Sequence, residues 1–340
     1  TFVAAAVSGD DTARLVSAQT RQSAVWEFPI SAVAPGQVKG WGSYAIGVTW
    51  ALRRRGVAAP ALIGYVDSCV PFGAGVSSSA ALEAAFARAG QDLRGATPAP
   101  PLDRALLAEA CVDAENSIAG APTGGMDQAA ALRSAKGCAL VVDSRTGDVE
   151  QVPFDLAAWG LELLVIDTRA AHTHADGEYG ARRATCVAAA QELGVALLAD
   201  IAPADLPAAI VRLGGPAALA ARRVRHVVTE IERTRQFIAA LRENRPDALG
   251  PLMNASHESL RRDYEVSAPG LDLAVAAARV AGAMGARMTG GGFGGSAIAL
   301  VEAGQADQVA GAVHSAFAQA GWAAPVFLRA AAAAPARRVA

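Results

Sequence analysis

The sequence predicts an α+β protein of two lobes, a strand-rich first half followed by a helix-rich second half. Short apolar segments separated by polar turns prevail up to residue 168, and longer runs with helical spacing prevail after it. The length of 340 residues is also more than one simple hydrophobic core usually serves. We therefore expect an N-terminal lobe over residues 1–168 and a C-terminal lobe over residues 169–340.

The first lobe is expected to alternate between strands and helices. Gly56 ends the first helical pattern, a Pro-rich break at 96–101 separates the second from the third, and a Gly/Pro loop at 119–125 precedes the fourth. The predicted strands are Thr1–Val7, Leu15–Gln19, Ala24–Phe28, Ala61–Asp67, Cys138–Asp143, Val149–Pro153 and Leu161–Asp167. The predicted helices are Trp41–Arg55, Ser78–Ala89, Leu102–Ile118 and Met126–Ser134.

The second lobe is expected to begin with long helices and to end on a β-loop-β-α-β segment. The long helices are predicted at Glu178–Leu193, Pro216–Arg242, Pro246–Arg261 and Leu271–Ala281. The closing segment comprises strands Ala286–Thr289, Ser296–Val301 and Pro325–Leu328 and a helix at Ala306–Gly321.

The charge composition argues against nucleic acid and membranes as partners. Thirty basic residues against 32 acidic ones give a net charge of −2, so no global field attracts a polyanion. The charge-free stretch Ser68–Leu82 is rich in Gly, Ser and Pro and does not fit a membrane span. The cysteines are far apart and indicate neither a zinc site nor a disulfide scaffold, so we expect a reducing cytoplasmic compartment; they are Cys69, Cys111, Cys138 and Cys186.

Lysine is almost absent, which excludes several kinds of chemistry. Lys39 and Lys136 are the only two lysines, and neither lies in a Walker A loop or in the strand motif of a protein kinase. Both flank glycines in loop-like surroundings, which argues against a Schiff-base lysine.

The loop Gly73–Ser79 is a candidate phosphate cradle. Two glycines allow close approach of backbone N–H groups to an anion, three consecutive serines add donors or a metal ligand, and a predicted helix start adds its dipole. An ordinary strand-to-helix turn with a serine cap would explain the same residues. Both interpretations stay open on spacing alone.

A second glycine loop, Gly290–Gly295, satisfies the pattern G-x-G-x-x-G, but its context opposes dinucleotide binding. Ser296–Val301 follows it and is predicted to be a strand, whereas the dinucleotide fingerprint must open a helix. Five glycines in six positions instead indicate the close approach of another backbone or of a ligand.

Two carboxylates in apolar surroundings are candidates for chemistry. Glu115 is suited to ligate Mg²⁺ together with a loop serine, and Asp127 to accept a hydroxyl proton. A solvated helix position for Glu115 and an N-cap for Asp127 are the plainer explanations. The pair His172 and His174 lacks a third metal ligand and is interpreted as surface polar residues.

Several motifs occur in a fixed order along the chain. Val70–Glu83 reads VPFGAGVSSSAALE, Met288–Gly295 reads MTGGGFGG, and Gly124–Gln128 reads GGMDQ. Trp41–Tyr44 reads WGSY, and Ser256–Ser267 reads SHESLRRDYEVS. Together with His172 and the stretch 178–183, they resemble the motifs of the GHMP small-molecule kinases and, within these, of the galactokinase family, over practically the whole chain.

The resemblance implies a two-lobed GHMP kinase fold, with an N-terminal lobe like domain 2 of ribosomal protein S5 and a ferredoxin-like, helix-rich C-terminal lobe. It implies ATP-dependent phosphorylation of α-D-galactose at the C1 hydroxyl. The implied metal is Mg²⁺, held by Ser79 and Glu115, and Asp127 would be the catalytic residue facing the sugar. Gly124 and Tyr179 would contact the sugar, while Gly290, Gly291, Gly292, Phe293, Gly294 and Gly295 would brace the phosphate loop. The implied ATP-binding residues are Trp41, Tyr44, Gly73, Ala74, Gly75, Val76, Ser77, Ser78 and Ser79.

The sequence also departs from the family pattern. The family's first motif, which supplies an arginine and sugar-selecting contacts, is absent, and we expect it to precede Thr1 in a longer chain. Gly125 and Thr123 replace the usual Ile and Cys of the fourth motif. A kinase for N-acetylgalactosamine or arabinose and a non-catalytic sensor of galactose and ATP therefore remain alternatives. We expect a monomer.

Overall fold

The computed structural model describes residues 1–20, 24–94, 102–121, 123–170 and 175–339. They form two compact units. The first contains Thr1–Phe72, Ser77–Val152 and Ala332–Ala340, and the second contains Gly73–Val76 and Pro153–Ala331. This division differs from the expected boundary after residue 168, because the strand Leu161–Asp167 pairs inside the sheet of the second unit.

The first unit is built on a four-stranded sheet of order β1-β4-β2-β3. Its strands are β1 (Phe2–Val7), β2 (Thr12–Ser17), β3 (Trp26–Pro29) and β4 (Leu62–Asp67). β2 and β4 run parallel, and the outer pairs are antiparallel. A separate two-stranded sheet consists of β5 (Cys138–Val142) and β6 (Val149–Pro153).

The helices of the first unit are α1 (Gly42–Arg54), α2 (Ser78–Asp92), α3 (Arg104–Asp113) and α4 (Met126–Arg133). The predicted helix Leu102–Ile118 is confirmed as a helical segment, but after Asp113 the chain changes to a π-helix at Ala114–Ala119. Such local π-helical segments are frequent at functional sites.

Close packing at one glycine of β4 fixes α2 on the sheet. A Cβ at Gly64 would lie 3.1 Å from ring atoms of Phe86 and 3.2 Å from Leu15. Phe86, on α2, is buried in the core that covers this sheet. Since α2 is rigidly seated in this way, the position of its N-terminus is set by the core of the unit.

The second unit contains an antiparallel sheet of order β10-β7-β9-β8. The strands are β7 (Leu161–Asp167), β8 (Gly285–Met288), β9 (Ser296–Glu302) and β10 (Val326–Ala330). The helices are α5 (Ala175–Leu193), α6 (Leu206–Arg212), α7 (Leu219–Arg242), α8 (Leu249–Ser259), α9 (Pro269–Val280) and α10 (Ala306–Gln319). A second π-helix, Leu260–Tyr264, follows α8 directly.

The largest core of this unit lies between the sheet and helices α9 and α10. Phe317 of α10, Leu271 of α9 and Ile166 of β7 are fully buried there. Most positions of strands β7 and β9 are buried in succession, so these central strands do not show the alternating exposure of a half-buried strand. Among the helices in the described ranges, none is both long enough and apolar enough to cross a bilayer.

Candidate active site

The first turn of α2 leaves its backbone donors open. Ser77, which precedes the helix, adopts a left-handed conformation with φ of 60°, and among the described residues no side chain caps this end. A left-handed serine is uncommon and costs conformational energy. Uncapped N–H groups at the positive end of a helix dipole form a site for an anion, in agreement with the phosphate interpretation of this loop.

The glycines of the preceding loop also adopt the left-handed conformation, with φ of 72° at Gly73 and 69° at Gly75. Within the second unit, this loop contacts the second glycine loop. A Cβ at Gly290, whose φ is 76°, would lie 3.1 Å from the carbonyl oxygen of Gly75. The buried hydroxyl of Ser296 donates a hydrogen bond of 2.5 Å to the carbonyl of Ala74.

The middle of the second glycine loop is fixed by the carbonyl of Val266. The N–H of Phe293 donates to that oxygen over 2.7 Å, and a Cβ at Gly292 would overlap it. The guanidinium of Arg182 lies over the Phe293 ring, 5.4 Å from its centroid. The loop is thus held by backbone contacts and precedes strand β9, which argues further against a dinucleotide fingerprint.

Three buried polar side chains meet behind the start of α2. The amide nitrogen of Gln128 donates to Oε2 of Glu83 over 3.0 Å and also to Oε2 of Glu115. The Ser79 hydroxyl lies close enough to the Glu115 carboxylate to lower the pKa of that group. Ser79 and Glu115, which the family resemblance pairs as metal ligands, are therefore neighbours.

Burial and mutual repulsion change the proton affinity of these carboxylates. Burial and then the negative charge of Glu115 raise the pKa of Glu83 to about 9, although the Gln128 amide opposes the change. Burial is also the main cause that raises the pKa of Glu115, with the charge of Asp127 adding to it. The pKa of Tyr44 is raised by burial and then by the charges of Glu115 and Glu83.

Asp127 lies in the first turn of α4, where a carboxylate is favoured by the helix dipole. The loop before it is held by Asn116, whose Oδ1 accepts the N–H of Thr123 over 2.6 Å and whose Nδ2 donates to the Thr123 carbonyl over 3.3 Å. The hydroxyl of Thr123 in turn accepts the N–H of Gly125 over 3.3 Å. Gly124, in the same loop, is exposed.

A cavity of about 240 Å³ opens beside the start of α2 in the first unit. Trp41 lines it together with Val66, Leu82 and Ser78. The surface of the cavity is mostly apolar. Tyr44 is not among its lining residues, although the sequence assigned both aromatic residues to the nucleotide.

Part of the predicted site lies outside the described residues. Tyr179 lies on α5, but its side chain is outside the described residues, as are His172 and His174. In the described ranges, no group of three or more His, Cys, Asp or Glu side chains is arranged to hold a metal. A metal between Ser79 and Glu115 would therefore need further ligands from a substrate.

Sequence reasoning gave no role to Glu83, Gln128 or Asn116. Glu83 follows Ser79 by four positions on a predicted helix, so the two residues share a face. The sequence spacing could therefore have indicated that Glu83 lies near Ser79. Gln128 and Asn116 act through contacts between distant segments, for which the chain carries no local signal.

Comparison with known proteins gives a consistent result. Family models match as the GHMP kinases N terminal domain over residues 43–135 and as GHMP kinases C terminal over residues 237–319. The galactokinase of Streptomyces coelicolor is 48% identical over 330 residues, which cover 97% of this chain and 84% of that protein. The galactokinase of Mycobacterium tuberculosis is 45% identical over 295 residues, covering 87% of this chain and 79% of its own length.

A solved structure agrees with these relatives. The crystal structure of the Lactococcus lactis galactokinase complexed with galactose superposes with a TM-score of 0.90 at 27% identity, covering 99% of this chain and 86% of that one. Mevalonate kinase shares the fold at a TM-score of 0.58 and 14% identity. The chain has the GHMP kinase fold, and it belongs to the galactokinase family of the GHMP kinases.

Proposed function

We propose that this protein transfers the γ-phosphoryl group of ATP to the C1 hydroxyl of α-D-galactose, giving galactose 1-phosphate and ADP. The observation that supports this most is the cluster at the start of α2, where Ser79, Glu115 and the charge of Asp127 come together. These three residues come from distant parts of the chain. Phosphoryl transfer needs metal ligands, which Ser79 and Glu115 would supply, and a group that orients the attacking hydroxyl, which Asp127 would supply. The identity of 48% to a galactokinase supports the choice of sugar.

The nucleotide would lie along the first unit, with its base in the cavity lined by Trp41. Ser78 both lines that cavity and begins α2, so the phosphates would extend from the cavity towards the helix N-terminus. Backbone N–H groups and the helix dipole then bind the phosphate oxygens without a lysine, in keeping with the two lysines of the chain.

Ser79 and Glu115 are suited to Mg²⁺, because a hydroxyl and a carboxylate are hard oxygen ligands. The negative charge of Asp127, which raises the pKa of the buried Glu115, also favours a cation here. When bound, Mg²⁺ would neutralise the phosphate charge that develops during transfer. Ser79 and Glu115 would be sufficient as protein ligands, because Mg²⁺ is commonly held by one or two protein groups together with substrate phosphates and water.

Asp127 would orient the C1 hydroxyl and accept its proton as the hydroxyl attacks the γ-phosphorus. Its loop is fixed by Asn116, so the carboxylate is held in place before the sugar arrives. Gly124 has no side chain and is exposed, which would let the sugar approach that backbone. Tyr179 would contribute a further sugar contact.

The test is release of ADP by the protein with MgATP, measured with and without galactose and with N-acetylgalactosamine, arabinose and glucose. We expect galactose-dependent release in the wild type and a fall of at least 100-fold in kcat for D127N, which keeps the shape and removes the charge. Asp155→Asn, at a residue outside the cluster, is the matched control. Nucleotide binding without sugar-dependent release would support a sensor instead, and release with another sugar only would overturn the assignment of galactose.

We also propose that the protein is a cytoplasmic monomer. All four cysteines, each within the described ranges, are free thiols, which suits a reducing compartment. Light scattering after gel filtration would test the monomer, and a dimer at micromolar concentration would overturn it.

A further inference from the structure

Gln128 joins three elements through a single amide group. Its nitrogen donates to one oxygen of Glu83 on α2 and to one oxygen of Glu115 on the π-helix, while the residue itself belongs to α4. Glu83 and Gln128 have no solvent-exposed surface, and Glu115 is 8% exposed. The junction is therefore a buried link and does not depend on surface side chains.

The three linked elements are the ones that carry the proposed chemistry. Ser79 lies one helical turn before Glu83 on α2, and Asp127 directly precedes Gln128 on α4. The third element supplies the Glu115 carboxylate itself, which has Ser79 as a neighbour. A movement of the Gln128 amide would thus first change the orientation of the Glu115 carboxylate, the proposed metal ligand.

The arrangement costs stability. Oε1 of Glu83 and Oε1 of Gln128 are buried and have no hydrogen-bond partner among the described residues. An unsatisfied buried polar atom costs about 1–3 kcal/mol, which apolar side chains of similar volume would avoid. Packing alone therefore does not explain a Gln and a Glu at these two positions.

Resting on the proposed function, we propose that Gln128 and Glu83 are positioning residues for the metal site. The Gln128 amide fixes Oε2 of Glu115 and so sets the plane of the carboxylate that binds Mg²⁺. Glu83 holds the same amide from the other side and keeps it from rotating away. Neither residue touches substrate, and both act through Glu115.

The experiment uses the complete protein and measures binding of Mn²⁺ by electron paramagnetic resonance with a non-hydrolysable ATP analogue. Gln128→Met keeps the length of the side chain and removes the donor. Glu83→Met removes the acceptor, and Glu83→Gln retains an acceptor oxygen at the same place. Glu109→Gln, on an exposed position of α3, is the control for a change from Glu to Gln.

We expect Q128M and E83M to weaken Mn²⁺ binding at least tenfold, as the loss of a residue that orients a metal ligand usually does. E83Q and E109Q should stay within threefold of the wild type, and the KM for galactose should change less than threefold in all four. Rescue in E83Q separates positioning from simple disruption of the fold. If Q128M fails to fold, the comparison of E83M with E83Q carries the same information.

Unchanged Mn²⁺ affinity in folded Q128M or E83M would overturn the inference, and so would an E83Q as impaired as E83M. The result of the Mn²⁺ binding experiment does not depend on whether galactose is the substrate. A wild type that forms no ADP with galactose but loses Mn²⁺ affinity in Q128M would contradict the reaction and leave the positioning role intact.

Discussion

Ser296 and Ala74 are joined by a hydrogen bond of 2.5 Å, from the serine hydroxyl to the alanine carbonyl, across 222 positions of sequence. Ser296 begins strand β9, and it has no exposed surface. Ala74 lies between the two left-handed glycines of the first loop. The strand that follows the second glycine loop thus holds the backbone of the first. A change at the start of β9 should therefore alter the position of the loop that is proposed to bind the phosphates of ATP.

Removing that hydroxyl should weaken nucleotide binding more than catalysis. Loss of a hydrogen bond of about 1 kcal/mol predicts a rise of about fivefold in the KM for ATP in Ser296→Ala. The control is Ser315→Ala, at an exposed position of α10 whose hydroxyl bonds only within its own helix. Steady-state kinetics with varied ATP is the measurement, and an unchanged KM would show that the bond does not constrain the loop.

Two neighbouring glycines of the second loop should respond differently to the same substitution. Gly292 has φ of 88° and a Cβ there would overlap the Val266 carbonyl, so Gly292→Ala should cost about 2 kcal/mol or more of unfolding free energy. Gly291 has an ordinary φ and open space among the described residues, so Gly291→Ala should change stability by less than about 0.5 kcal/mol. Urea unfolding of both variants makes the comparison, and equal losses would contradict it.

The bounds of helices and strands were predictable where the spacing of apolar residues and the positions of glycines indicate the same start and end. Helix α2, strands β5 to β7 and strand β9 lie within one to three residues of their predicted bounds. Strand β2 begins at Thr12, three residues before the prediction, because its first turn is set by Asp10, which accepts the N–H of Thr12. Helix α6 was not predicted, since seven residues give little periodic signal.

Only those residues of the candidate site that belong to recognisable motifs could be predicted from the sequence. Glycines and serines at set spacings indicated a phosphate loop, with an ordinary strand-to-helix turn as the alternative. The family resemblance, and not the spacing, paired Ser79 with Glu115. The positioning groups were not visible, because a buried Gln becomes meaningful only when two carboxylates from other elements meet it. Burial, which raises the pKa of Glu83, is likewise a property of the folded chain.

Arg223 should be essential for stability in the second unit. Its side chain is 3% exposed, bonds Oε2 of Glu265 over 2.6 Å and also donates to the Asp263 carbonyl. The Glu265 carboxylate is 40% exposed and keeps its ion pair with Arg222, so the loss in Arg223→Met comes mainly from the hydrogen bonds of the buried guanidinium. We expect a loss of about 1–3 kcal/mol of unfolding free energy.

Arg235→Met is the matched control, because Arg235 lies on the same helix, is 61% exposed and pairs with Glu232 only at 3.7 Å. Exposed pairs contribute little, and we expect a change below about 0.5 kcal/mol. Chemical denaturation followed by circular dichroism gives both values. A loss in R223M no larger than in R235M would contradict a structural role for the buried guanidinium.

His226 should make the second unit sensitive to mild acid. Its ring stacks on Tyr264 with centroids 4.4 Å apart, and its Nδ1 is hydrogen-bonded to the hydroxyl of Ser259 over 2.9 Å. Burial lowers the pKa of His226 from 6.5 to about 4, with smaller effects from charged neighbours such as Glu230 and Arg233. Between these two values the unfolded chain binds a proton that the folded chain excludes, so stability is complete above pH 6.5 and falls as the pH drops towards 4.

The shift corresponds to about 2 kcal/mol of unfolding free energy lost by pH 5 relative to pH 7.5. His226→Gln should be less stable than the wild type at pH 7.5, because the ring stacking is lost, but its stability should fall by about 2 kcal/mol less on acidification. His314→Gln, at an exposed position of α10, should keep the wild-type pH dependence. Urea unfolding at both pH values measures the differences, and a wild-type slope in H226Q would show that His226 is not the group that titrates.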